Sequence, residues 1–163
     1  ALADVDQDGA LDLYVANYRP FTIRDQPGIK LRGSTIDGKP QVMSVNGMSL
    51  EAANSVGRFT LNTNGKILEQ GQADRLYLND GSGKFTPVSF TAGAFLDEDG
   101  QRLAKPPYDW GLSAMFRDMN RDGRPDLYVC NDFWDADRLY HNQGDGTFAP
   151  VTMPEPPRKT SSA

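Results

Sequence analysis

The chain has 163 residues, of which 24% are charged, and its formal net charge is -5 at pH 7. This length allows one domain with a hydrophobic core, and the composition is that of a globular rather than a disordered protein. The acidic balance excludes the basic patch that a nucleic-acid partner needs, and no apolar run approaches the roughly 20 residues of a membrane span.

The first predicted element is an acidic loop at residues 4–12, which read DVDQDGALD. Oxygen-bearing side chains occupy positions 1, 3, 5 and 9 of this loop, and a glycine at position 6 permits a sharp turn. Hard cations such as Ca²⁺ bind sets of oxygen ligands of this kind. A helical EF-hand loop needs Glu at position 12, where this chain has Val15. The pattern therefore predicts a calcium loop between two strands.

The strand that follows the loop covers residues 12–17. Leu13 and Val15 lie on one face of this strand, and Tyr14 and Ala16 lie on the other. Because both faces carry apolar or aromatic residues, we expect both faces of the sheet to be covered. This arrangement is typical of stacked sheets.

Residues 18–73 interrupt the regular pattern and are rich in Gly, Pro, Ser, Thr and Asn. Strand-like runs at 58–61 and 66–68 flank the sequence NTNG, which predicts a tight hairpin. Residues 49–56 are expected to form one or two helical turns. We interpret this segment as an insertion made of hairpins and loops.

A fifteen-residue unit at 74–88 begins with DRLYLN, and it recurs at 137–151 with the start DRLYHN. Each unit predicts strand, glycine turn and strand. The acidic loop also recurs, at residues 118–126, which read DMNRDGRPD. A strand at 111–117 leads into this second loop, and position 12 is again valine, Val129. The complete repeat thus runs from about residue 111 to residue 151.

This repeat has the length and strand number of one β-propeller blade, which has about 40–45 residues and four strands. We therefore predict an all-β chain of propeller blades, each a four-stranded antiparallel sheet. Residues 1–90 form a partial first blade with the insertion 18–73, residues 91–152 form the second blade, and residues 153–163 form an extended or disordered tail. Propellers close with about 4–8 blades, so we expect a two-blade fragment of a larger propeller.

The acidic loop followed by LYVxN, and then DRLYxN with its glycine turn, resembles the FG-GAP/VCBS repeats of integrin α-subunits and many secreted bacterial proteins. The form is most similar to the group that includes cartilage acidic protein and bacterial ASPIC/UnbV proteins. The resemblance covers residues 1–17, 74–90 and 111–152. The literal Phe-Gly and Gly-Ala-Pro signature is absent, which separates this chain from the integrins.

The resemblance implies a secreted, periplasmic or cell-surface protein with one structural Ca²⁺ in the first loop of each blade. By motif position, the ligands are the side chains of Asp4, Asp6, Asp8 and Asp12 with the carbonyl of Ala10, and the side chains of Asp118, Asn120, Asp122 and Asp126 with the carbonyl of Arg124. The first loop has four carboxylates, whereas the second has three with two arginines alongside. Since close carboxylates repel unless a cation neutralises them, we expect tighter binding in the first loop.

The main hypothesis is a non-catalytic, calcium-stabilised module that binds extracellular protein or polysaccharide, with the remaining blades supplied by the same chain or another chain. An enzyme acting on polysaccharides and a purely structural module are the alternatives. The single histidine, His141, replaces Leu78 of the first repeat and is interpreted as packed or solvated. An aromatic and acidic cluster is either a ligand site or blade packing; its residues are Tyr108, Asp109, Trp110, Asp132, Phe133, Trp134 and Asp135.

Two further observations concern the context of the chain. It starts with alanine, almost inside the first acidic loop, and shows no signal peptide. We therefore expect a mature or excised piece of a longer protein. Cys130 is the single cysteine, which excludes an internal disulfide, and its apolar strand pattern predicts a buried small hydrophobe.

Overall fold

The computed structural model describes residues 1–19, 21–23, 25–53, 55–62, 64–132 and 135–152. These residues form an all-β structure of small antiparallel sheets with one short helical turn, which confirms the all-β part of the predicted fold class. Within this part of the chain, no helix is long and apolar enough to cross a membrane. The predicted tail, 153–163, lies outside the described residues.

Two four-stranded antiparallel sheets carry the repeated motifs. The first sheet has the order β1-β2-β8-β9 and the second has the order β10-β11-β12-β13. The strands are β1 (Leu2–Ala3), β2 (Asp12–Val15), β3 (Leu31–Ile36), β4 (Lys39–Val45), β5 (Met48–Ser49), β6 (Phe59–Leu61), β7 (Ile67–Glu69), β8 (Arg75–Asn79), β9 (Phe85–Val88), β10 (Gly111–Arg117), β11 (Asp126–Asn131), β12 (Arg138–Asn142) and β13 (Phe148–Pro150).

The strands predicted from the repeated sequence are confirmed. The strand predicted at 111–117 is β10, and the strands predicted in the two fifteen-residue units are the pairs β8–β9 and β12–β13. In both sheets the acidic loop joins the first two strands, and the glycine turn joins the last two. The second strand of the first sheet, β2, ends at Val15, two residues earlier than the pattern indicated.

The segment between β2 and β8 forms two small sheets of its own, β3-β4-β5 and β6-β7. The predicted NTNG hairpin is confirmed by the β6–β7 pairing. These sheets share a small apolar core around Val42, Val45 and Phe59. At 49–56, where one or two helical turns are expected, the described residues form no regular helix, but the Ala53 N–H donates to the Ser49 carbonyl with the spacing of one helical turn. The chain then turns at Gly57, whose φ is +73°.

The main core lies between the two four-stranded sheets. Tyr14 and Leu76 from the first sheet are each 2% exposed, and Leu127 and Val129 from the second are 0% and 2% exposed. The Tyr14 ring meets the edge of the Phe116 ring at a centroid distance of 6.3 Å. The two sheets therefore pack face to face.

The two sheets contribute opposite faces to this core. Leu127 is the repeat counterpart of Leu13, and Tyr128 is the counterpart of Tyr14. Leu127 and Tyr14 are buried, whereas Leu13 and Tyr128 are half-buried. The expectation that both faces are covered thus holds for one face of each sheet only. The two sheets therefore have the same orientation. The inner face of the first sheet packs against the face of the second sheet that corresponds to the outer face of the first.

The link between the two sheets closes one end of this core. Phe95 is 0% exposed, and its ring stacks on Phe90 at 4.2 Å and on Phe148 at 5.2 Å. The Leu96 N–H donates to the Phe148 carbonyl, so the link extends the second sheet beyond β13. Residues 97–100 of the link form a turn, in which the Gly100 N–H donates to the Asp97 carbonyl.

A buried tyrosine–aspartate pair ties the inner strands of the first sheet together. The Tyr14 hydroxyl donates to Asp74 Oδ2 at 2.7 Å, and the Asn17 N–H donates to Asp74 Oδ1 at 2.7 Å. In the second sheet, the Tyr128 hydroxyl donates to Asp137 at 2.6 Å. Each of these aspartates is therefore a hydrogen-bond partner within its own sheet.

Because the two sheets bury opposite faces, leucines at the same position of the two repeats should differ in their contribution to stability. We expect Leu127→Ala to lower the free energy of unfolding by about 2–5 kcal/mol, because the side chain is fully buried. Leu13→Ala, at the same repeat position, should cost about 1 kcal/mol or less because this side chain is half-buried. Urea unfolding of both variants measures the difference. Equal losses would contradict the stacking of opposite faces.

The Tyr14–Asp74 pair predicts alkaline sensitivity. Burial, together with the charge and hydrogen bond of Asp74, raises the pKa of Tyr14 well above its ordinary value of 10.0. Above pH 10 the unfolded chain therefore loses a proton that the folded chain retains, and stability falls as pH rises. Tyr14→Phe should flatten this fall by up to about 1.4 kcal/mol per pH unit. Urea unfolding at a series of pH values measures the slope, with Tyr77→Phe on the opposite face as the control.

Candidate metal centre

The first acidic loop curls its backbone around its own carboxylates. Asp4 Oδ2 accepts the Gly9 N–H at 3.0 Å, and Asp8 Oδ1 accepts the Ala10 N–H at 2.8 Å. Gln7 and Gly9 have positive φ angles of 62° and 94°. Glycine adopts this conformation without strain, which explains its place at position 6 of the loop.

Three of the predicted ligands converge in this loop. One carboxylate oxygen from each of Asp4, Asp6 and Asp8 lies within 4.8 Å of the others. Asp4 Oδ1 is buried and has no hydrogen-bond partner among the described residues. A buried carboxylate oxygen without a donor is costly, and a cation satisfies it. The residues present therefore fit a hard divalent cation such as Ca²⁺, which prefers oxygen ligands.

The electrostatics of the first loop agree with this fit. Partial burial raises the pKa of Asp6, against the lowering effect of a hydrogen bond from the Asp8 N–H. The neighbouring charges of Asp12, Asp8 and Asp4 raise it further. Repulsion of this kind is relieved when a positive ion lies among the carboxylates.

The fourth predicted carboxylate, Asp12, makes a different set of contacts. It is 0% exposed, its Oδ2 accepts the Val5 N–H at 2.8 Å, and its Oδ1 accepts the Asn79 N–H at 2.9 Å. Asp12 thus connects the start of the loop to the end of β8. In this structure its bonds go to the backbone, and they hold the loop in place beside the other three carboxylates.

The second acidic loop follows the same path. Asp118 Oδ2 accepts the Gly123 N–H at 2.9 Å, as Asp4 does in the first loop. Arg121 and Gly123 have φ angles of 66° and 85°, at the positions of Gln7 and Gly9. The repeated spacing therefore produces a repeated backbone shape.

The charge in the second loop is arranged differently. Arg124 Nη2 forms an ion pair with Asp122 Oδ2 at 2.5 Å, and the Asn120 side-chain amide donates to the same oxygen at 2.7 Å. Although burial pushes the pKa of Asp122 upward, the Arg124 N–H, the Asn120 amide and the Arg124 charge hold it below the ordinary value. Across the described residues, the first loop forms the only close group of three acidic side chains. The second loop carries its own counter-ion.

Asp126 repeats the role of Asp12. It is 0% exposed, and it accepts the Met119 N–H at 2.9 Å and the Asn142 N–H at 3.0 Å. Asn142 itself donates from its side chain to the Val5 carbonyl at 2.7 Å, which joins the second sheet to the first loop. Sequence reasoning did not assign a role to Asn142. Its recurrence as Asn79 in the DRLYxN motif was the available signal.

The aromatic and acidic cluster is divided by the structure. Trp110 is 6% exposed, and its backbone N–H donates to Asp135 Oδ2 at 3.2 Å. Asp109 forms an ion pair with Arg138. Phe133 and Trp134, which belong to the predicted cluster, lie outside the described residues. His141 and Cys130 are half-buried on the outer face of the second sheet, so the expected full burial of Cys130 is wrong.

Comparison with known protein families gives one match. A family model described as FG-GAP-like repeat matches residues 118–163, which start at the second acidic loop and include β11, β12 and β13. The resemblance to FG-GAP repeats is therefore supported over this part of the chain. Comparison with curated proteins and with solved structures finds no match.

The contacts of Asp12 predict a role that does not require metal. In EDTA, we expect Asp12→Ala to lower the free energy of unfolding by about 2–4 kcal/mol, because two backbone N–H groups lose their acceptor in a buried site. Asp8→Ala should cost about 0.5 kcal/mol or less, because Asp8 is exposed. Urea unfolding of both variants in EDTA measures this. A loss for Asp8→Ala as large as that for Asp12→Ala would contradict the assignment.

Proposed function

We propose that this chain is a calcium-stabilised FG-GAP/VCBS-type repeat module that binds extracellular protein or polysaccharide and is not catalytic. The observation that carries the calcium assignment is the convergence of Asp4, Asp6 and Asp8 around the unpartnered Asp4 Oδ1. We include a second structural Ca²⁺ in the loop of Asp118, Asn120, Asp122 and Asp126. The match to an FG-GAP-like repeat supports the repeat type.

Calcium in the first loop would also stabilise the two sheets that contact this loop. Asp12 connects this loop to β8, and Asn142 connects it to the second sheet. A ligand that binds only the folded state stabilises it by mass action, by about 2.7 kcal/mol at a concentration 100-fold above Kd. We therefore propose a structural role for the metal, and the bonds of Asp12 to β8 and of Asn142 to the first loop support this role.

The open faces of the two sheets support a larger propeller. Leu13, Val15 and Tyr77 on the open face of the first sheet are the repeat counterparts of Leu127, Val129 and Tyr140, which are 0–2% exposed in the core. A further blade of the same type would cover them as the second sheet covers Tyr14. On this proposal, the remaining blades come from the same chain or from another chain.

The surface for recognition is proposed to lie on the segment between β2 and β8. This segment holds β3 to β7 outside the two repeated sheets, and loops and hairpins on a rigid scaffold usually carry recognition. A secreted, periplasmic or cell-surface location, and the closer grouping with ASPIC/UnbV and cartilage acidic proteins, are part of the same proposal.

An enzyme acting on polysaccharides is the second candidate. A cavity of about 260 Å³ is lined by four acidic residues, Glu98, Asp109, Asp135 and Asp137. Glycoside hydrolysis uses a pair of carboxyl groups of this kind. Burial and the charge of Asp109 raise the pKa of Asp135, as a general acid requires. Asp109 forms an ion pair with Arg138, and this contact favours a structural rather than a catalytic role for Asp109 and Arg138. Hydrolysis of a panel of polysaccharides that is abolished by Asp135→Asn would favour the enzyme.

The calcium proposal predicts two unequal sites. Calorimetric titration should show tighter binding in the first loop, which Asp6→Asn removes selectively. Arg124→Gln should tighten the second site, because it removes the cation that neutralises Asp122 and leaves the Arg124 carbonyl in place. Arg121→Gln is the matched control, since Arg121 is an exposed arginine of the same loop. Equal affinities in both loops, or no change in Arg124→Gln, would contradict the ranking.

Removal of calcium tests the assignment as a whole. EDTA should lower the Tm of the wild-type chain, and added Ca²⁺ should restore it. The variant Asp6→Asn should respond less to either treatment. A Tm that does not change with EDTA would refute a stabilising calcium ion.

A further inference from the structure

A second cavity lies where the segment that contains β6 and β7 meets the link between the two main sheets. Its volume is about 140 Å³, and Arg58, Gln72, Arg75 and Tyr108 supply its polar groups. Val56 and Pro106 supply apolar wall. This cavity shares no residue with the acidic loops, so it is separate from the candidate metal centre.

Arg58 is a buried cation with one nitrogen left without a partner. The residue is 1% exposed. Its Nη2 donates to the Phe21 carbonyl at 2.8 Å and to Glu69 Oε1 at 3.0 Å, while Nη1 is buried and makes no hydrogen bond within the part of the chain that the structure describes. The guanidinium lies 4.9 Å from the Phe21 ring centroid and 5.4 Å from that of Phe59. Its position is therefore fixed by packing on both rings.

A free donor on a buried guanidinium is energetically expensive. Unpaired buried polar groups are rare in folded proteins because each loses its hydrogen bonds to water. The burial of Arg58 lowers its pKa, although Glu69 raises it by charge and hydrogen bond. The positive charge of Arg58 is thus held in the wall of the cavity, where it attracts an anion.

The charge around the cavity favours an anion with a single negative charge. Arg75 is exposed and lines the same cavity, and its charge opposes the upward effect of burial on the pKa of Tyr108. Glu69 compensates one of the two arginines. No acidic side chain of the described residues lines the cavity, in a protein whose net charge is -5. One positive charge therefore remains for a ligand.

Close backbone packing holds the cavity in shape. A Cβ on Gly57 would lie 2.1 Å from the Tyr108 ring, and a Cβ on Gly71 would lie 1.8 Å from the Asp109 carbonyl oxygen. Both distances are far below van der Waals contact, so only glycine allows the two segments to approach this closely. The polar groups of the cavity are thus preorganised, which lowers the entropy cost of binding.

We propose that this cavity binds the carboxylate group of a small organic anion. Arg58 supplies a fixed positive charge in the cavity wall, Arg75 supplies the exposed charged donor, and the Tyr108 hydroxyl and the Gln72 amide supply neutral donors. Val56 and Pro106 contact the carbon chain of the ligand. This site goes beyond the calcium module and does not depend on it.

The test is an NMR titration of the ¹⁵N-labelled full chain with sodium propionate, at constant ionic strength and with saturating Ca²⁺. We expect saturable shifts of the backbone amides at 56–58 and 72–75. Arg75→Gln should weaken the affinity about tenfold, the size of one charge-assisted hydrogen bond. Tyr108→Phe should weaken it about threefold.

The controls separate a site from general attraction of anions. Arg117→Gln removes an exposed arginine of β10, away from the cavity, and should leave the affinity unchanged. Arg58→Leu should abolish the shifts if the amide spectrum shows that it folds, and Arg75→Gln tests the site independently of that variant. Shifts that grow linearly, that chloride or phosphate reproduce at equal strength, or that Arg75→Gln leaves unchanged would overturn the proposal.

Discussion

The repeated sheets depend on one kind of contact, a buried aspartate that accepts backbone N–H groups from different parts of the chain. Asp12 and Asp126 each join the start of an acidic loop to the end of the third strand of the sheet. A buried carboxylate is tolerated only when donors satisfy it. Each loop is therefore held in one shape by its last acidic residue, and the remaining carboxylates of the first loop are brought close to each other as a result.

The same repeat is used with different electrostatics in its two copies. In the first loop the carboxylates of Asp4, Asp6 and Asp8 face one another, whereas in the second loop Arg124 supplies a positive charge to Asp122. The same loop shape thus occurs with clustered carboxylates in one copy and with an arginine counter-ion in the other. The packing of the two copies also differs in which face is used: each sheet packs one face against the other sheet, and its opposite face is left open. Such head-to-tail interfaces form closed rings when the rotation between units closes, and open rows when it does not.

Sequence reasoning succeeded where structure is local and repeated. The strands, the glycine turns and the paths of the acidic loops follow from spacing within about fifteen residues, which both copies share. It could not give the direction of a side chain: loop position 9 predicted Asp12 as a ligand, while its visible bonds go to the backbone. Nor could it tell that Tyr14 and Leu127 are buried on opposite faces, because both faces are apolar. Arg58 lies in the segment without a repeat, and its surroundings come from residues distant in sequence.

The link through Phe95 and Leu96 has a consequence for solubility. An unpaired outer strand offers a row of free N–H and carbonyl groups to any other extended chain, and such strands seed aggregation. Here Leu96 occupies the edge beside β13 by bonding to the Phe148 carbonyl. Pro150 in β13 and Pro87 in β9 carry no N–H at all, and both strands are the last of their sheets. The two sheets are thus poor templates for growth at these edges, although their open faces remain able to accept another sheet.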